Sequence, residues 1–502
     1  MPVITLLPMK RRLDVPAGSS LRDALAPAGI DFPCGGRGQC KGCRVLVVKG
    51  ALPVSGADRQ RLSEEERSAG WRLACQAHVA GDLVLQVRRW DSIVLEDGGR
   101  FDFTAEMDCG IAVDLGTTTV VAQLVDLETG EVIAGRSGLN AQAKFGADIM
   151  SRLSHAESAA GREDLRRVVT AQIGAMVTAL AGELPEGEAL ARVVIVGNTV
   201  MQHLFFGADT ASLARLPFEP VLSGTVTTDA AALGWAGAGN APVYFLPNLG
   251  SFVGSDILGV ILATGVARSA ELVGAADLGT NGEILVGNRD GILVASTAAG
   301  PAFEGARISM GMIAGTGAID RVWVDAGRLG GSVIGGGAPA GICGSGLVDA
   351  VACGLDLGRI DATGAITDGE SFPVLPPVTL TGRDIRELQL AKGAIAAGIE
   401  ILLRQRGVKA PDLARFFLAG AFGNYIGVES ARRIGLLKFP AGKIVPVGNA
   451  ALRGAKMGLF AATARDMEAI LPKVRHVPLA EDPAFHEIFM EEMLFPEPPA
   501  RA

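Results

Sequence analysis

Residues 112–119 read Ala-Val-Asp-Leu-Gly-Thr-Thr-Thr, and residues 276–282 read Ala-Asp-Leu-Gly-Thr-Asn-Gly. Each copy of Asp-Leu-Gly-Thr is bracketed by apolar runs, 111–113 and 120–125 in the first and 272–275 and 284–286 in the second. An apolar run that breaks at a glycine and resumes a few residues on reads as a tight β-hairpin. In such a hairpin the Gly lets a bound group approach closely, the Thr hydroxyls and successive N–H groups suit phosphate oxygens, and the Asp faces a cation. Two copies facing each other across a cleft hold a triphosphate and its Mg²⁺ from both sides, which ties residues far apart in the chain to one site.

At 502 residues the chain is too long for a single core, and two to four domains are expected. Hydrophobic residues make up 49% and charged residues 20%, and Gly and Pro are dispersed, the composition of a compact α/β protein with many tight turns. The longest strongly apolar run, 257–267, falls well short of the roughly 20 residues that span a bilayer. Lys10, Arg11 and Arg12 follow the first apolar segment instead of preceding it, unlike a signal peptide. The expectation is a cytoplasmic protein with no membrane contact. The net charge of −8 hides an asymmetry: residues 1–90 carry 14 Lys or Arg against 8 Asp or Glu, a balance of +6, so the remainder stands at −14. A basic N-terminal module docking on an acidic surface fits that split, and so does ordinary surface variation. No aromatic-studded basic groove points to nucleic acid.

The N-terminal stretch alternates short strands (3–7, 11–15, 44–48, 82–88) with short helices (20–26, 63–68) around a Gly-rich loop, Pro33-Cys-Gly-Gly-Arg-Gly-Gln-Cys-Lys-Gly-Cys43. Cys34, Cys40 and Cys43 have the spacing C-x5-C-x2-C, and Cys75 lies 32 residues on. Four thiolates with three in one glycine-rich loop suit a 2Fe-2S cluster, because N–H groups freed by glycine bond the sulfides and tune the potential. Disulfides fit poorly with a cytoplasmic chain, and zinc sites favour two C-x2-C pairs. The arrangement resembles the β-grasp ferredoxins, so residues 1–90 are expected to form a one-electron redox module and 91–108 a linker. Cys109, Cys343 and Cys353 lack ligand spacing and read as core residues.

From residue 111 strands and helices alternate in an α/β pattern. Helices are expected at 146–155, 165–180, 251–258, 347–355 and 383–406. His203, on an apolar helix face, reads as a structural residue. The Gly-rich loop 335–346 opening a helix suits either a phosphate or close helix packing. The apolar strand from Arg415 breaks into Ala419-Gly-Ala-Phe-Gly-Asn424, a turn flat enough to lie against a purine and ribose. Expected units are a first lobe at 109–205, a second at 206–480 and an acidic tail at 481–502.

In that order, Asp114-Leu-Gly-Thr-Thr-Thr, Asp277-Leu-Gly-Thr-Asn-Gly and Ala419-Gly-Ala-Phe-Gly-Asn resemble the first phosphate, second phosphate and adenosine motifs of the superfamily of actin, heat-shock ATPases and acetate and sugar kinases. The resemblance implies a two-lobed, actin-like (ribonuclease H-like) α/β ATPase. Joined to the ferredoxin-like module, the whole chain resembles the reductive activators of corrinoid proteins. That implies an ATP-dependent enzyme passing single electrons from its cluster to a Co(II) corrinoid protein of a methyltransferase system, restoring Co(I), with an upstream low-potential reductase and a homodimeric state. Carried over by position, Cys34, Cys40, Cys43 and Cys75 bind the cluster, and Asp114 and Asp277 organise Mg²⁺ and catalysis. Gly116, Thr117, Thr118, Thr119, Gly279, Thr280 and Asn281 hold the phosphates of ATP, and Gly420, Ala421, Phe422, Gly423 and Asn424 contact the nucleoside. Two rival readings are a small-molecule kinase with a redox-sensing ferredoxin domain and a nucleotide-switched binding protein. Sugar kinases place a carboxylate base near the start of the helix before the second hairpin. With that helix opening at Gly250 or Ser251, Asp256 lies too far in, so water is the expected acceptor.

Overall fold

The computed structural model describes residues 1–7, 11–25, 32, 36, 38, 43–87, 97 and 99–497. The N-terminal unit comprises β1 (Val3–Leu7), β2 (Arg11–Asp14), α1 (Leu21–Leu25), β3 (Arg44–Lys49), α2 (Gly56–Arg61), α3 (Glu64–Ser68), β4 (Trp71–Leu73) and β5 (Leu83–Gln86). The sheet runs β2-β1-β5-β3-β4 with β1 and β5 parallel, the β-grasp order. Alternation along β1 buries Ile4 and Leu6 against Leu21, Leu25, Val45, Leu73 and Leu85 and turns the other face to solvent. Both α2 and α3 open with capping boxes, Ser55 with Asp58 and Ser63 with Glu66, which fix short helices that propensity alone would not hold.

The next part contains β6 (Cys109–Leu115), β7 (Thr119–Asp126), β8 (Val132–Leu139), α4 (Ile149–His155), α5 (Ala159–Ala181), β9 (Leu190–Gly197), α6 (Thr199–Phe206), β10 (Val226–Asp229) and β11 (Pro242–Phe245). Their sheet order is β10-β11-β9-β6-β7-β8. After α7 (Ser255–Thr264) come β12 (Val273–Leu278), β13 (Gly282–Asn288) and β14 (Gly291–Thr297). A small sheet of β15 (Ala318–Asp325), β16 (Arg328–Val333) and β17 (Gly341–Ile342) follows, then α8 (Gly344–Asp356), the hairpin β18 (Ser371–Leu375) and β19 (Val378–Thr381), and the long α9 (Gly382–Arg406). The chain closes with β20 (Arg415–Ala419), α10 (Gly420–Tyr425), α11 (Val428–Arg433), β21 (Ile444–Gly448), α12 (Ala450–Met457), α13 (Ala461–Ile470), β22 (Val474–His476) and α14 (Phe485–Glu492). The second large sheet is β21-β20-β12-β13-β14-β22.

The two large sheets share a plan. Strand β6 lies between antiparallel β7 and parallel β9, and β12 between antiparallel β13 and parallel β20. Helices α7 and α12 pack between the sheets in one core that joins Ala112, Val121 and Val194 of the first to Ala275, Leu285 and Phe417 of the second. They cross at glycines: a Cβ on Gly454 would fall 2.1 Å from the Gly259 Cα.

Four expectations need correction. The lobe division at 205/206 is too early, because β10 and β11 complete the first sheet; hydrophobic periodicity cannot say which sheet a short strand joins. The helix expected at 251–258 is α7 and starts at Ser255, because Gly254 is its extended N-cap and is pressed against Gly197 and Asn198. The acidic tail is not separate through its length: Ile488 of α14 and Phe495, both 2 % exposed, pack into the core that includes α9. Nor is 91–108 a plain linker, since Asp97 is buried and Phe101 and Phe103 pack against Phe460. Among the described residues no helix is long and apolar enough to cross a membrane.

Candidate functional site

The two hairpin turns face each other between the large sheets. In the first, a Cβ on Gly116 would lie 2.7 Å from the Thr119 carbonyl oxygen, so the turn closes only with glycine. Its back is pinned by polar side chains: Asn140 Nδ2 donates to the Gly116 carbonyl at 2.8 Å, Asn198 Nδ2 to Thr117 Oγ1 at 3.0 Å, and buried Arg152 Nη2 to the Thr117 carbonyl at 2.6 Å. Thr118 is left to face the other hairpin. Its Oγ1 stands 2.8 Å from Thr280 Oγ1, and both hydroxyls contact Glu304, at 3.0 and 2.7 Å.

One cleft is lined by Asp114, Gly116, Thr117, Thr118 and Thr119 of the first hairpin, Asp277, Gly279, Thr280 and Asn281 of the second, and Gly420 and Phe422 of the third motif. Gly423 and Asn424 are not among its lining residues, because 420–425 coils into α10 instead of lying flat. Gly420 has φ +83°, and a Cβ there would meet Asp277 Oδ1 at 2.4 Å, so this glycine makes room for the carboxylate. Stacked Phe303 and Phe422, with ring centroids 4.4 Å apart, and Tyr425 form an apolar shelf at one end. The Gly-rich loop shows the close packing expected of it, with Gly344 and Gly346 against backbone, and Gly344 and Ser345, with Cys343, line the cleft.

Sequence reasoning missed Asp256, Glu283, Glu304 and Asn449, all of which line this cleft. Asp256 sits in the first turn of α7, so the argument that it lies too far into its helix to act at the site is overturned. Glu283 is 6 % exposed and its Oε1 has no hydrogen-bond partner among the described residues. Burial pushes the Asp114 carboxyl up to about 6, opposed by Asn449 Nδ2, which donates to its Oδ2 at 2.9 Å. Burial and then the Asp114 charge raise Asp256 to about 7, against the Ile257 N–H that lowers it. Asp277 is pushed up to about 8 by burial, then by Asp256 and Asp114, and Glu283 well above its usual range by burial, then by Asp256 and Asp277. Among the described residues the lining contains five carboxylates and no Lys, Arg or His, and no three of the acids are placed to hold a metal ion by themselves. A divalent cation would relieve their mutual repulsion, with its remaining ligands drawn from phosphate and water.

In the N-terminal unit Cys43 is 1 % exposed at the entry to β3, and Cys75 is half-buried in a 3₁₀ turn, Ala74–Gln76. The two elements are joined where the Ala74 N–H donates to the Cys43 carbonyl at 3.0 Å, and Gln76 Nε2 reaches the loop at the Gly36 carbonyl, 2.7 Å away. Gly36 and Gly38 have φ of +78° and +69°, left-handed backbone that lets a loop curl around a bound group. Cys34 and Cys40 lie outside the described residues. Cys43, Cys75 and the left-handed Gly36 and Gly38 fit the surroundings of a 2Fe-2S cluster. Cys109 donates to Glu188 Oε2 at 2.7 Å and burial pushes its thiol up to about 12, which leaves it an inert core residue. His203 is likewise structural: Nδ1 donates to the Thr199 carbonyl at 2.7 Å and Nε2 accepts from the N–H groups of Val221 and Leu222.

Three family models cover the chain: a 2Fe-2S iron-sulfur cluster binding domain over residues 4–80, the RACo middle region over 109–269, and the C-terminal ASKHA domain of RACo over 271–501. The corrinoid activation enzyme RamQ of Eubacterium limosum is 35% identical over 77% of this chain and 70% of its own. This chain belongs to the RACo family. A second relative, the [Co(II) methylated amine-specific corrinoid protein] reductase of Methanosarcina barkeri, is 29% identical over 77% of each chain. The solved reductive activator for corrinoid, iron-sulfur protein superposes with a TM-score of 0.70 at 28% identity, over 99% of both chains. The RACo architecture therefore runs from the β-grasp module through both sheets.

Proposed function

We propose that this protein is an ATP-dependent reductive activator that passes single electrons from a 2Fe-2S cluster to a Co(II) corrinoid protein of a methyltransferase system, restoring Co(I). The observation that carries the reading is the pair of facing Asp-Leu-Gly-Thr hairpins in the same chain as a β-grasp module that carries Cys43 and Cys75 beside the left-handed Gly36 and Gly38. Cys34, Cys40, Cys43 and Cys75 would hold the cluster, which would supply one-electron chemistry. Asp114 and Asp277 would hold Mg²⁺, which would offset the phosphate charge that no basic side chain among the described cleft residues meets. The hairpin residues 116–119 and 279–281 bind the phosphates through N–H groups and hydroxyls, and the Phe303–Phe422 shelf takes the base. Asp256, raised to about 7, is poised near neutrality to accept a proton from the attacking water.

ATP is needed because the Co(II)/Co(I) couple lies low. Every ~59 mV of uphill gap costs a factor of ten in a one-electron step, and a 2Fe-2S centre near a typical roughly −400 mV falls short unaided. Each turnover removes one electron, so an upstream low-potential reductase refills the cluster. The use of thiols as cluster ligands suits the cytoplasm, and a homodimer belongs to the reading through the family resemblance. Under anaerobic conditions, Co(I) formation followed by its visible absorption is expected to need the protein, a reductant and Mg-ATP together. Asp277→Ala should stop it with the cluster spectrum intact, and Cys40→Ser should stop it with nucleotide binding intact. Full Co(II) reduction without nucleotide would refute the reading.

A further inference from the structure

A buried carboxylate ahead of the first large sheet is clamped by α12. Asp97, 3 % exposed, accepts from Arg453 Nη2 at 2.7 Å and Nε at 3.1 Å through Oδ1, while its Oδ2 lies 2.7 Å from Lys456 Nζ. The same Nζ donates to the Asp97 backbone carbonyl at 2.7 Å, and Lys456 is 1 % exposed. Downstream, the Phe101 and Phe103 rings pack 5.8 and 4.7 Å from Phe460. Glu106 then accepts from the Ala461 N–H at 2.6 Å and pairs with Arg192 at 3.0 Å. Asp97 and residues 99–106 therefore run along the C-terminal half of α12 and the start of α13.

The other end of α12 lies in the nucleotide cleft. Asn449 caps the helix by accepting from the Leu452 N–H at 2.8 Å, and donates to Asp114 in the first hairpin. Along its length α12 crosses α7, whose first turn carries Asp256, with the Gly259 and Gly454 backbones in direct contact. Close-packed backbones with no side chain between them transmit displacement without slack. A carboxylate held out of water by a guanidinium and an ammonium cannot slide along the helix without stranding a buried charge.

We propose that α12 is the lever by which the nucleotide cleft moves Asp97 and residues 99–106, the tether ahead of the first large sheet, with Asp97 as the positioning residue that fixes this tether to the helix. The inference rests on the nucleotide reading of the cleft and adds the route by which cleft and tether are coupled. A shift of Asp114 on nucleotide binding moves Asn449 and α12 as a unit, and the tether follows through Arg453 and Lys456.

Hydrogen exchange on the full cluster-bearing chain, with and without Mg²⁺ and a non-hydrolysable ATP analogue, tests this. Protection of the hairpins at 114–119 and 277–282 reports binding, and exchange at 99–106 is expected to change about fivefold or more in the same titration. The double variant Asp97→Asn/Lys456→Gln leaves no lone buried charge on either residue, and the Arg453 guanidinium that loses its carboxylate keeps its bond to the Val447 carbonyl at 3.1 Å. It should hydrolyse ATP at the wild-type rate and protect its hairpins while 99–106 no longer responds. Protected hairpins with an indifferent 99–106 in the wild type overturn the lever, as does a double variant that responds like the wild type. Unprotected hairpins would instead refute the nucleotide reading. The wild-type arm decides even where the variant fails to fold.

Discussion

The two hairpins share Asp-Leu-Gly-Thr and the same place in their sheets, yet they are held differently. The first is braced by Asn140, Arg152 and Asn198, and its Asp114 is bonded to Asn449. The second has Glu283 behind it, and its Asp277, which has room only because residue 420 is glycine, is repelled by Asp256 and Asp114. The same motif therefore yields one carboxyl raised to about 6 and another to about 8. A hydrogen-bond donor from a distant helix makes part of that difference, and the number of nearby negative charges makes the rest. The first hairpin is a finished, rigid half of the site, while the second stores repulsion that a cation would release.

The largest test of that contrast is Asp277→Asn, which should lower ATP turnover by about 100-fold or more, with no change in the cluster absorbance. A small effect would place the cation on the first hairpin alone. Asn449→Ala should cost about tenfold in turnover, the worth of a hydrogen bond to a charged group. Losing the donor that opposes burial moves Asp114 toward Asp277, so the acid limb of the pH–rate profile should shift to higher pH. An unmoved limb would break the assigned asymmetry. The glycines separate the turns by stability: Gly116→Ala forces a Cβ to 2.7 Å from a backbone oxygen and should cost about 1–3 kcal/mol by thermal unfolding. At Gly279 the nearest atom is 3.8 Å away, and alanine there should stay within about 0.5 kcal/mol.

The smallest effect concerns the braced side of the molecule, where His203 ties α6 to the loop at Val221 and Leu222. Burial lowers its pKa from 6.5, so below that pH the unfolded chain takes up a proton that the folded chain refuses. Its contribution to stability is present in full above 6.5 and is lost as pH falls through the depressed folded value. His203→Gln should flatten the stability curve in that window, and an unchanged curve would show that the loop is held by other contacts.

Asp114 and Asp277 were legible because a repeated motif between apolar runs is a local pattern, and the β-grasp strands and the cysteine spacing were legible for the same reason. Asp256 and Glu283 were not, since each is a single acid inside an apolar run whose direction depends on where a helix starts or which face of a strand meets the cleft. The turn at 419–424 reaches the cleft through Gly420 and Phe422 but not in the flat shape expected: Gly420 serves the approach of Asp277, and the chain continues into α10.

By itself, then, the amino-acid sequence determined the modules, their order, the two Asp-Leu-Gly-Thr hairpins and the family, because all of these are written in short-range spacing and periodicity. Only the tertiary structure decided that five carboxylates share one cleft with no basic side chain among its described lining residues, that β10 and β11 belong to the first sheet, and that Asp97 is gripped by α12. Burial, charge repulsion and helix crossing depend on residues brought together from hundreds of positions apart, and no local pattern encodes that meeting.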